Sequence, residues 1–239
     1  MRWWTGLVVL VAGVALAVEQ PTGEGLGRVV RTEGTVRVLP AEGFRKEPAE
    51  PGRTLAKGDM VLTADGAKAV LAFRDGSRVA LDAGTKLEVR DAEGLHQEGG
   101  QALYRIRDRG SRGRRVRTEF SVIGVKGTEF LVSDTEEARA VAMADGEVAV
   151  EAPEGRFKLY REKEKAGFAS YRERQRQGME DYKEEFQEYK KRVRREFVDY
   201  VRSFSLESGR MAAFGDGEAT TGAVSAELER DIQRLRDLL

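Results

Sequence analysis

Residues 120–132, FSVIGVKGTEFLV, contain two glycines three positions apart. The Gly-x-x-Gly spacing of Gly124 and Gly127 admits two interpretations: a loop whose backbone clamps nucleic-acid phosphates, or a bend between two β-strands. After Gly127, the side chains of Thr128, Phe130 and Val132 alternate with those of Glu129 and Leu131. A period of two is typical of a strand and does not fit a helix. We therefore predict strands on both sides of a bend or bulge at Gly127.

The nucleic-acid interpretation finds no further support in the sequence. An RNA-binding KH module carries a similar string between two helices, and no helix pair is predicted around residues 120–132. Lysine and arginine together number 41, as do aspartate and glutamate. A chain without an overall basic charge does not attract nucleic acid by its net field. We expect no nucleic-acid partner.

Residues 1–17 have the composition of a secretory signal peptide. Arg2 precedes an apolar run from about Leu7 to Leu16, and Ala15-Leu16-Ala17 fits a small-x-small cleavage site. An uncleaved membrane anchor is the alternative, but the run is shorter than the roughly 20 residues that span a bilayer. Both interpretations predict an exported, periplasmic or otherwise extracytoplasmic protein. The chain has no cysteine, which excludes disulfides, thiolate sites and lipid attachment at a lipobox.

Residues 26–151 are predicted to form an all-β domain of short antiparallel strands. Apolar residues alternate with polar ones in short runs, separated at intervals of about ten residues by Gly-containing turns. The residues expected to share a face within each run are Ala69, Leu71 and Phe73, then Val79 and Leu81, then Leu87 and Val89. Asp-Gly pairs at 65–66, 75–76 and 145–146 are typical of hairpin turns. Calcium loops are the alternative for these aspartates, but the alternating acidic spacing of such loops is missing.

Five stretches resemble FecR-type domains, in the order in which that family has them. They are GTVRV (34–38), LAKGDMVLT (55–63), AVLAFRDGSRVALDAGTKLEV (69–89), RTEFSVIGVKGTEFLV (117–132) and ADGEVAV (144–150). The F-x-DGS and GTEF strings are the most specific parts of this resemblance. Glu119 departs from the pattern, because the family usually has proline after the threonine.

The resemblance implies an extracytoplasmic domain, solenoid-like or sandwich-like, that acts by protein contact and not by catalysis. The best-known members receive a signal from an outer-membrane transporter and pass it, through a membrane helix, to a cytoplasmic segment that binds a sigma factor. Only about Met1 to Thr5 precede the apolar run in this sequence. We therefore expect a stand-alone exported FecR-domain protein, and sigma-factor regulation is not carried over.

Arginines crowd the stretch RIRDRGSRGRRVR, residues 105–117, between two predicted strands. Arginine suits carboxylate and phosphate partners because its planar fork bonds bidentately. The candidate partner-binding residues are Arg107, Arg109, Arg112, Arg114 and Arg115. They predict an acidic protein face or an anionic envelope ligand as partner. A solvated hairpin without a partner is the alternative interpretation.

Nothing in the sequence predicts an enzyme. The only histidine is His96, in AEGLHQEGG, and we expect it to be exposed on a loop without a second metal ligand nearby. One histidine would have to supply every base role. Acids such as Glu162 and Glu164 lie in a charged run, where solvated carboxylates are ordinary. No catalytic residue, cofactor or metal is predicted.

Residues 156–207 are predicted to form one long, charged amphipathic helix. An aromatic stripe with steps of three and four residues forms its candidate interface: Tyr182, Phe186, Tyr189, Val193, Phe197, Tyr200 and Phe204. Packing within the chain and homo-oligomerisation are the two alternatives for the partner of this stripe. The adjoining basic string KKRVRREF (190–197) would also fit contact with an anionic membrane surface.

A flexible linker is predicted at 208–222, followed by a short amphipathic helix at 223–239. The apolar stripe of this helix is Val224, Leu228, Ile232, Leu235 and Leu239, and we expect a helical hairpin with the long helix. Two functions remain open. The first is a non-enzymatic binding or signalling module of the envelope. The second is a structural or assembly protein whose long helix mediates oligomerisation.

Overall fold

The computed structural model describes residues 25–107, 113–161, 198–215 and 217–239. These residues form nineteen β-strands and one α-helix. The strands are β1 (Gly27–Glu33), β2 (Val36–Leu39), β3 (Glu47–Pro48), β4 (Thr54–Leu55), β5 (Met60–Thr63), β6 (Lys68–Phe73), β7 (Arg78–Leu81), β8 (Lys86–Val89), β9 (Gly94–Arg105), β10 (Arg114–Arg117), β11 (Val122–Val125), β12 (Glu129–Asp134), β13 (Arg139–Asp145), β14 (Glu147–Glu151), β15 (Phe157–Arg161), β16 (Val198–Val201), β17 (Ser203–Glu207), β18 (Arg210–Gly215) and β19 (Glu218–Ala223). The helix, α1, is Ala226–Arg236.

The strands form two sheets that share β9. Sheet 1 has the order β4–β1–β6–β7–β9–β12–β13–β18–β19–β15–β16. Sheet 2 has the order β3–β2–β5–β8–β9–β10–β11–β14–β17. Neighbouring strands are antiparallel except for the parallel pairs β9–β10 and β15–β19.

Strand β9 passes from one sheet to the other at two glycines. Its first half pairs with β8 as far as Gly99, and its second half pairs with β12 from Gly100 onward. Gly100 has a φ of 82°, and a Cβ built on it would lie 2.4 Å from the Cα of Thr85. Only glycine has both the conformational freedom and the small size for this crossing.

The inward faces of the two sheets pack against each other in one hydrophobic core. Leu71, Leu81, Leu87, Phe130 and Val150 are all fully buried there, with no residual exposure. Alternation of buried and exposed residues along both sheets is typical of a sandwich. The prediction of a mainly β fold is therefore confirmed, and of the two arrangements considered the described residues form the sandwich. Gly127 has a φ of 65° between β11 and β12, as expected for a bend.

Helix α1 forms a third layer on the outer face of sheet 1. Leu228, Ile232 and Leu235 pack against a second core that includes Leu103 and Leu131. Ser225 caps the helix by accepting a 3.3 Å hydrogen bond from the Leu228 N–H, which satisfies one of the free N-terminal donors. The predicted short C-terminal helix is confirmed. The predicted helical hairpin is wrong for the described residues, because α1 packs on a sheet.

The predicted long helix at 156–207 is wrong at both of its ends, where the chain forms β15, β16 and β17. Residues 162–197, the interior of that prediction, lie outside the described residues. Phe157 and Leu159, like Phe204 and Leu206, alternate with exposed or half-buried neighbours and fill the sandwich core. A period of two outweighed helix propensity in these short runs because their apolar residues could be buried between the sheets.

The predicted linker at 208–222 is also wrong, since this segment contains β18 and β19. Its Ala, Gly and Thr residues suggested flexibility, but Ala212 and Ala219 are fully buried in the core. The β-structure therefore continues well past residue 151, where we placed the end of the β-domain. Within the described ranges, no helix is long and apolar enough to cross a membrane.

Candidate partner-binding surfaces

The arginine-rich stretch is anchored to the turn between β6 and β7. The carboxylate of Asp75 accepts hydrogen bonds from Nε of Arg114 at 3.1 Å and from its Nη2 at 2.5 Å. The Arg114 side chain is only 4% exposed, and its guanidinium carbon lies 4.6 Å from the centroid of the Phe73 ring. A guanidinium this deeply buried needs a charged partner. Asp75 supplies that partner, and the ion pair fixes the position of Arg114, the first residue of β10.

The remaining residues of the DGS string support the same turn. Gly76 has a φ of 83°, and the Ser77 N–H donates a 2.9 Å hydrogen bond to Oδ1 of Asp75. Burial opposes ionisation of Asp75, but the hydrogen bonds from Arg114 and Ser77 hold its pKa below the ordinary value. Ser77 Oγ in turn accepts a hydrogen bond from the Arg107 N–H at 3.2 Å. The DGS turn thus holds both ends of the stretch between β9 and β10.

The predicted arginine cluster separates into structural and surface residues. Arg107 and Arg115 are exposed, as a partner-binding role requires. Arg109 and Arg112 lie outside the described residues. Arg114 is buried in its ion pair with Asp75, so the expectation that its charge faces a partner is corrected.

The two described members of the predicted aromatic interface do not share a surface. Tyr200 lies on β16 and is 66% exposed. Phe204 lies on β17 in the sandwich core, with its ring centroid 5.7 Å from that of Phe157. Its assignment to the interface stripe of a long helix is therefore wrong, because it lies on a strand. The other members, Tyr182, Phe186, Tyr189, Val193 and Phe197, lie outside the described residues.

His96 lies on β9 among charged side chains, and not on an exposed loop as expected. Its Nδ1 is 3.3 Å from a carboxylate oxygen of Glu88 and 3.9 Å from one of Glu98. These three side chains are close enough together to hold a metal ion. However, Nη2 of Arg90 lies 3.2 Å from His96 Nδ1, and Nε of Arg90 is 3.0 Å from Glu88. The Arg90 guanidinium therefore offsets the charge of Glu88 and repels a metal cation at His96, while Glu98 keeps its own negative charge.

An aromatic-floored cleft opens at one end of the sandwich, between the two sheets. Its volume is about 430 Å³. The rings of Phe120 and Phe214 lie 4.8 Å apart between centroids, and those of Phe157 and Phe214 lie 5.6 Å apart. Phe120 and Phe214 are half-buried. We call this site the mouth cleft.

A second cavity of about 570 Å³ lies beside α1, on the outer face of sheet 1. Met211, Ala213 and Leu228 contribute apolar surface to it. Arg139 and Phe214 line both this cavity and the mouth cleft. The two cavities therefore meet at these residues, and we call them together the groove.

Arg139 is held at the junction of the groove by two carboxylates. Its Nε lies 3.3 Å from Oδ1 of Asp134, and its Nη2 lies 3.9 Å from Glu119. Only 7% of the Asp134 side chain is exposed, and its Oδ2 has no hydrogen-bond partner in the described part of the chain. Burial raises the pKa of Asp134, with Arg139 acting against this rise and Glu119 reinforcing it.

Sequence reasoning missed the groove, because its floor comes from distant parts of the chain. Phe120 precedes β11, Phe157 begins β15 and Phe214 lies on β18. Phe157 and Phe214 fall in segments that we predicted as helix and linker. Only the pairing of β18 with β13 places Phe214 beside Arg139. No local pattern signals that contact.

The described chain is thus a two-sheet β-sandwich with a helix on one face and a groove at one end. Residues 59–149 match the family described as FecR protein, so this part of the chain is similar to that family. It extends from just before β5 into β14 and contains the DGS and GTEF strings. The resemblance deduced from the sequence is confirmed.

Two crystal structures of a candidate anti-sigma factor from Parabacteroides distasonis ATCC 8503, at 1.65 Å and 2.50 Å resolution, are similar to the chain. Each is 17% identical, with a TM-score of 0.46. The similarity covers 70% of this chain and 61% of theirs. No curated protein matches the sequence significantly.

Proposed function

We propose that the protein is a non-enzymatic, exported binding and signalling module of the FecR-domain type that recognises a protein or an anionic ligand of the cell envelope. The observation that supports this proposal is the role that the most specific residues of the FecR resemblance have in the structure. Asp75 of the DGS string fixes the start of β10, and Glu129 of the GTEF string fixes α1. Both residues position surface elements, as a module acting by contact requires.

The clamp at Glu129 is formed by two arginines. Its Oε2 accepts a hydrogen bond from Arg105 at 2.6 Å, and its Oε1 accepts one from Arg236 of α1 at 2.6 Å. Glu129 itself is 9% exposed. Because charged hydrogen bonds sheltered from water are strong, this clamp sets where the helix lies on sheet 1. The groove beside α1 depends on that placement.

The exposed arginines at the β9–β10 connection are the proposed site for an anionic ligand. Arg107, Arg115 and Arg117 are exposed in the described part of the chain. Arg109 and Arg112 complete the set by sequence. A concentrated positive field of this kind steers an acidic partner and fixes its orientation.

Site-specific photocrosslinking of the full chain in its native cells tests this function. A photoreactive residue is placed at Arg115 in the basic connection, at Ala213 in the groove, and at Ala149 on the outer face of sheet 2. All three positions are exposed. We expect at least one position to capture the same protein or envelope component repeatedly, and that component, once purified, to bind the wild-type chain. If none of the three positions captures a specific component, the proposed function is overturned.

Assembly through residues 162–197 is a second candidate function. One observation favours it: β15 and β16, the strands that flank this segment, are paired, with Tyr160 opposite Val198, so the two ends of the segment lie side by side. Light scattering compares the wild type with a variant carrying polar replacements of Tyr182, Phe186 and Tyr189. Dissociation of an oligomer by these replacements supports assembly, and a monomeric wild type overturns it.

Contact of the basic string 190–197 with anionic vesicles is tested by flotation of the same proteins.

A further inference from the structure

The groove has the composition of a site for a polypeptide segment. Each of its two cavities lies within the roughly 300–1,000 Å³ that ligand sites occupy. Phe120 and Phe214 expose part of their rings in the mouth cleft, and Met211 and Ala213 offer apolar surface beside α1. Polar groups surround these apolar floors. An apolar centre with a polar rim is the usual anatomy of a protein interface.

The rim of the groove is predominantly acidic. Its lining contains seven acidic side chains and three arginines. Arg234 is already paired with Asp82 and Asp231, each at 2.7 Å. Arg139 is held by Asp134 and Glu119, as described above. These two arginines therefore neutralise acids of this chain. The third, Arg156, is exposed at the mouth cleft and makes no ion pair with a described residue, so seven acids against three arginines leave the lining negative.

Three of the acidic side chains are left without such a partner. Glu154 lies at the mouth cleft, Glu137 lies near Arg139, and Glu227 lies in the first turn of α1. All three are exposed, and none makes an ion pair or a side-chain hydrogen bond with any described residue. They extend along the groove from one cavity to the other. Their charges are available to a ligand.

We propose that the groove binds a cationic polypeptide segment in which lysine or arginine alternates with apolar side chains. The apolar side chains occupy the mouth cleft and the cavity beside α1, and the cationic groups pair with Glu137, Glu154 and Glu227. Opposite charges across an interface give specificity and fast association, and apolar anchors in pockets supply most of the affinity. This inference rests on the proposed function, since it names the chemistry of one partner of the same module.

The test uses a short fluorescent peptide in which arginine alternates with leucine, and a matched peptide in which glutamate replaces arginine. Binding to the full chain is followed by fluorescence anisotropy at physiological salt. The charge variant combines Glu137→Lys, Glu154→Lys and Glu227→Lys. Its control combines Glu147→Lys, Glu151→Lys and Glu207→Lys, which reverse three exposed acids on the outer face of sheet 2. Both variants have the same change in net charge.

We expect the arginine peptide to bind the wild type, and the groove variant to bind it about tenfold more weakly or worse. The control variant should change binding by less than about twofold. Equal losses in the two variants would show attraction to net charge alone and would overturn the proposal. Equal or tighter binding of the glutamate peptide would also overturn it.

A steric pair of variants tests the apolar part of the proposal. Ala213→Trp places a large ring in the groove, whereas Ala149→Trp places the same ring on the outer face of sheet 2; both alanines are exposed on strands. We expect the first to block the arginine peptide and the second to leave binding unchanged. Circular dichroism confirms that both variants are folded. Unchanged binding to folded Ala213→Trp would overturn the proposal.

Two outcomes separate this inference from the proposed function and from self-association. Capture of a specific partner at Arg115 but not at Ala213, without peptide binding in the groove, leaves the proposed function standing and overturns the inference. Sedimentation of the wild type and of the groove charge variant tests whether a second copy is the occupant. If the wild type is an oligomer and the charge reversals of the variant dissociate it, the groove is a self-association site. That result would overturn the proposal of a cationic partner.

Discussion

Asp75 provides the most direct residue-scale test of how the DGS string works. Asp75→Asn keeps the shape of the turn but removes the charge that compensates the buried guanidinium of Arg114. Leaving a buried charge unpaired costs about 3–5 kcal/mol, and because Asp75 is 28% exposed we expect a loss nearer 2 kcal/mol. The folded-state pKa of Asp75 is lowered from 3.8, so this stabilisation is present above pH 3.8 and is lost as the pH falls through the folded pKa.

Urea unfolding of the wild type and of Asp75→Asn at a series of pH values measures this effect. The gap in unfolding free energy should be full near neutral pH and should close in acid. Asp65→Asn is the matched control, because Asp65 is an exposed aspartate in another Asp-Gly turn and makes no ion pair with described residues. A gap that stays constant down to the lowest pH would mean that Asp75 acts by shape and not by charge.

Gly100 marks the residue at which β9 changes sheets. An added Cβ would lie 2.4 Å from the Thr85 Cα and 2.8 Å from the Gly84 carbonyl oxygen, and the φ of Gly100 is 82°. We expect Gly100→Ala to lower the unfolding free energy by about 2–4 kcal/mol, since strain and a backbone clash act together. At Gly99 the nearest atom to an added Cβ is the Asp134 carbonyl oxygen at 3.9 Å, so Gly99→Ala should cost under about 1 kcal/mol. Thermal unfolding of the pair checks this, and similar losses at both sites would contradict it.

The sequence marked the strings that contain Asp75 and Glu129, but it predicted neither the ion pairs of these residues nor their partners. Asp75 and Glu129 both lie in the strings that carry the FecR resemblance. Asp75 meets Arg114, 39 positions away, and Glu129 meets Arg236, 107 positions away. Such pairings are set by the order of strands in the sheets. A single sequence contains no local signal for that order.

At the scale of elements, α1 forms a separate packing layer. Leu228, Ile232 and Leu235 share a small core with the outer face of sheet 1, distinct from the core between the sheets. Leu235 is fully buried, so Leu235→Ala should weaken docking of the helix by about 2–4 kcal/mol. Because the sandwich core is separate, we expect amide exchange to accelerate in α1 and to stay slow in β12.

Gln233→Ala is the control for this prediction, because Gln233 is on the exposed face of the same helix. Hydrogen–deuterium exchange followed by mass spectrometry resolves the two segments. Equal acceleration in α1 and β12 would show that the helix unfolds only together with the sandwich. In that case the two cores form one cooperative unit.

The elements that sequence reasoning misassigned share one physical cause. Short apolar runs of four to six residues can follow both a helical and a strand period, and their context decides between them. Around Phe204 the run SFSLE was joined to a longer helical stripe, whereas its true partner is β14. The longer series of alternating runs from β5 to β14 was assigned correctly, because several consecutive runs with Asp-Gly turns support one interpretation. Isolated runs lacked that support.

At the scale of the whole molecule, strands from both ends of the described chain contribute to the two sheets of the sandwich. Strands β15 to β19 follow the FecR match in sequence, and they form edge and inner positions of the same two sheets. Phe157, Leu159, Leu206 and Ala219 belong to the core built by the earlier strands. The region that matches the FecR family is therefore not a separate folding unit from the segment after it. We expect a chain ending at residue 151 to expose this core and to aggregate.

Replacement of residues 162–197 by Asn-Gly should, in contrast to truncation at residue 151, leave the sandwich folded. Tyr160 and Val198 face each other across the β15–β16 pair, so Arg161-Asn-Gly would form a three-residue hairpin loop with glycine at its end, a favoured connection. No described core residue is removed, and the loop to be closed becomes shorter, which lowers its entropic cost by roughly (3/2)RT ln of the length ratio. We expect the melting temperature to stay the same or to rise. The variant should also retain the groove, and should therefore bind the arginine peptide like the wild type. A melting temperature lowered by more than about 5 °C, the scale of roughly 1 kcal/mol or more in a domain of this kind, would show that residues 162–197 stabilise the sandwich and are not an independent assembly element.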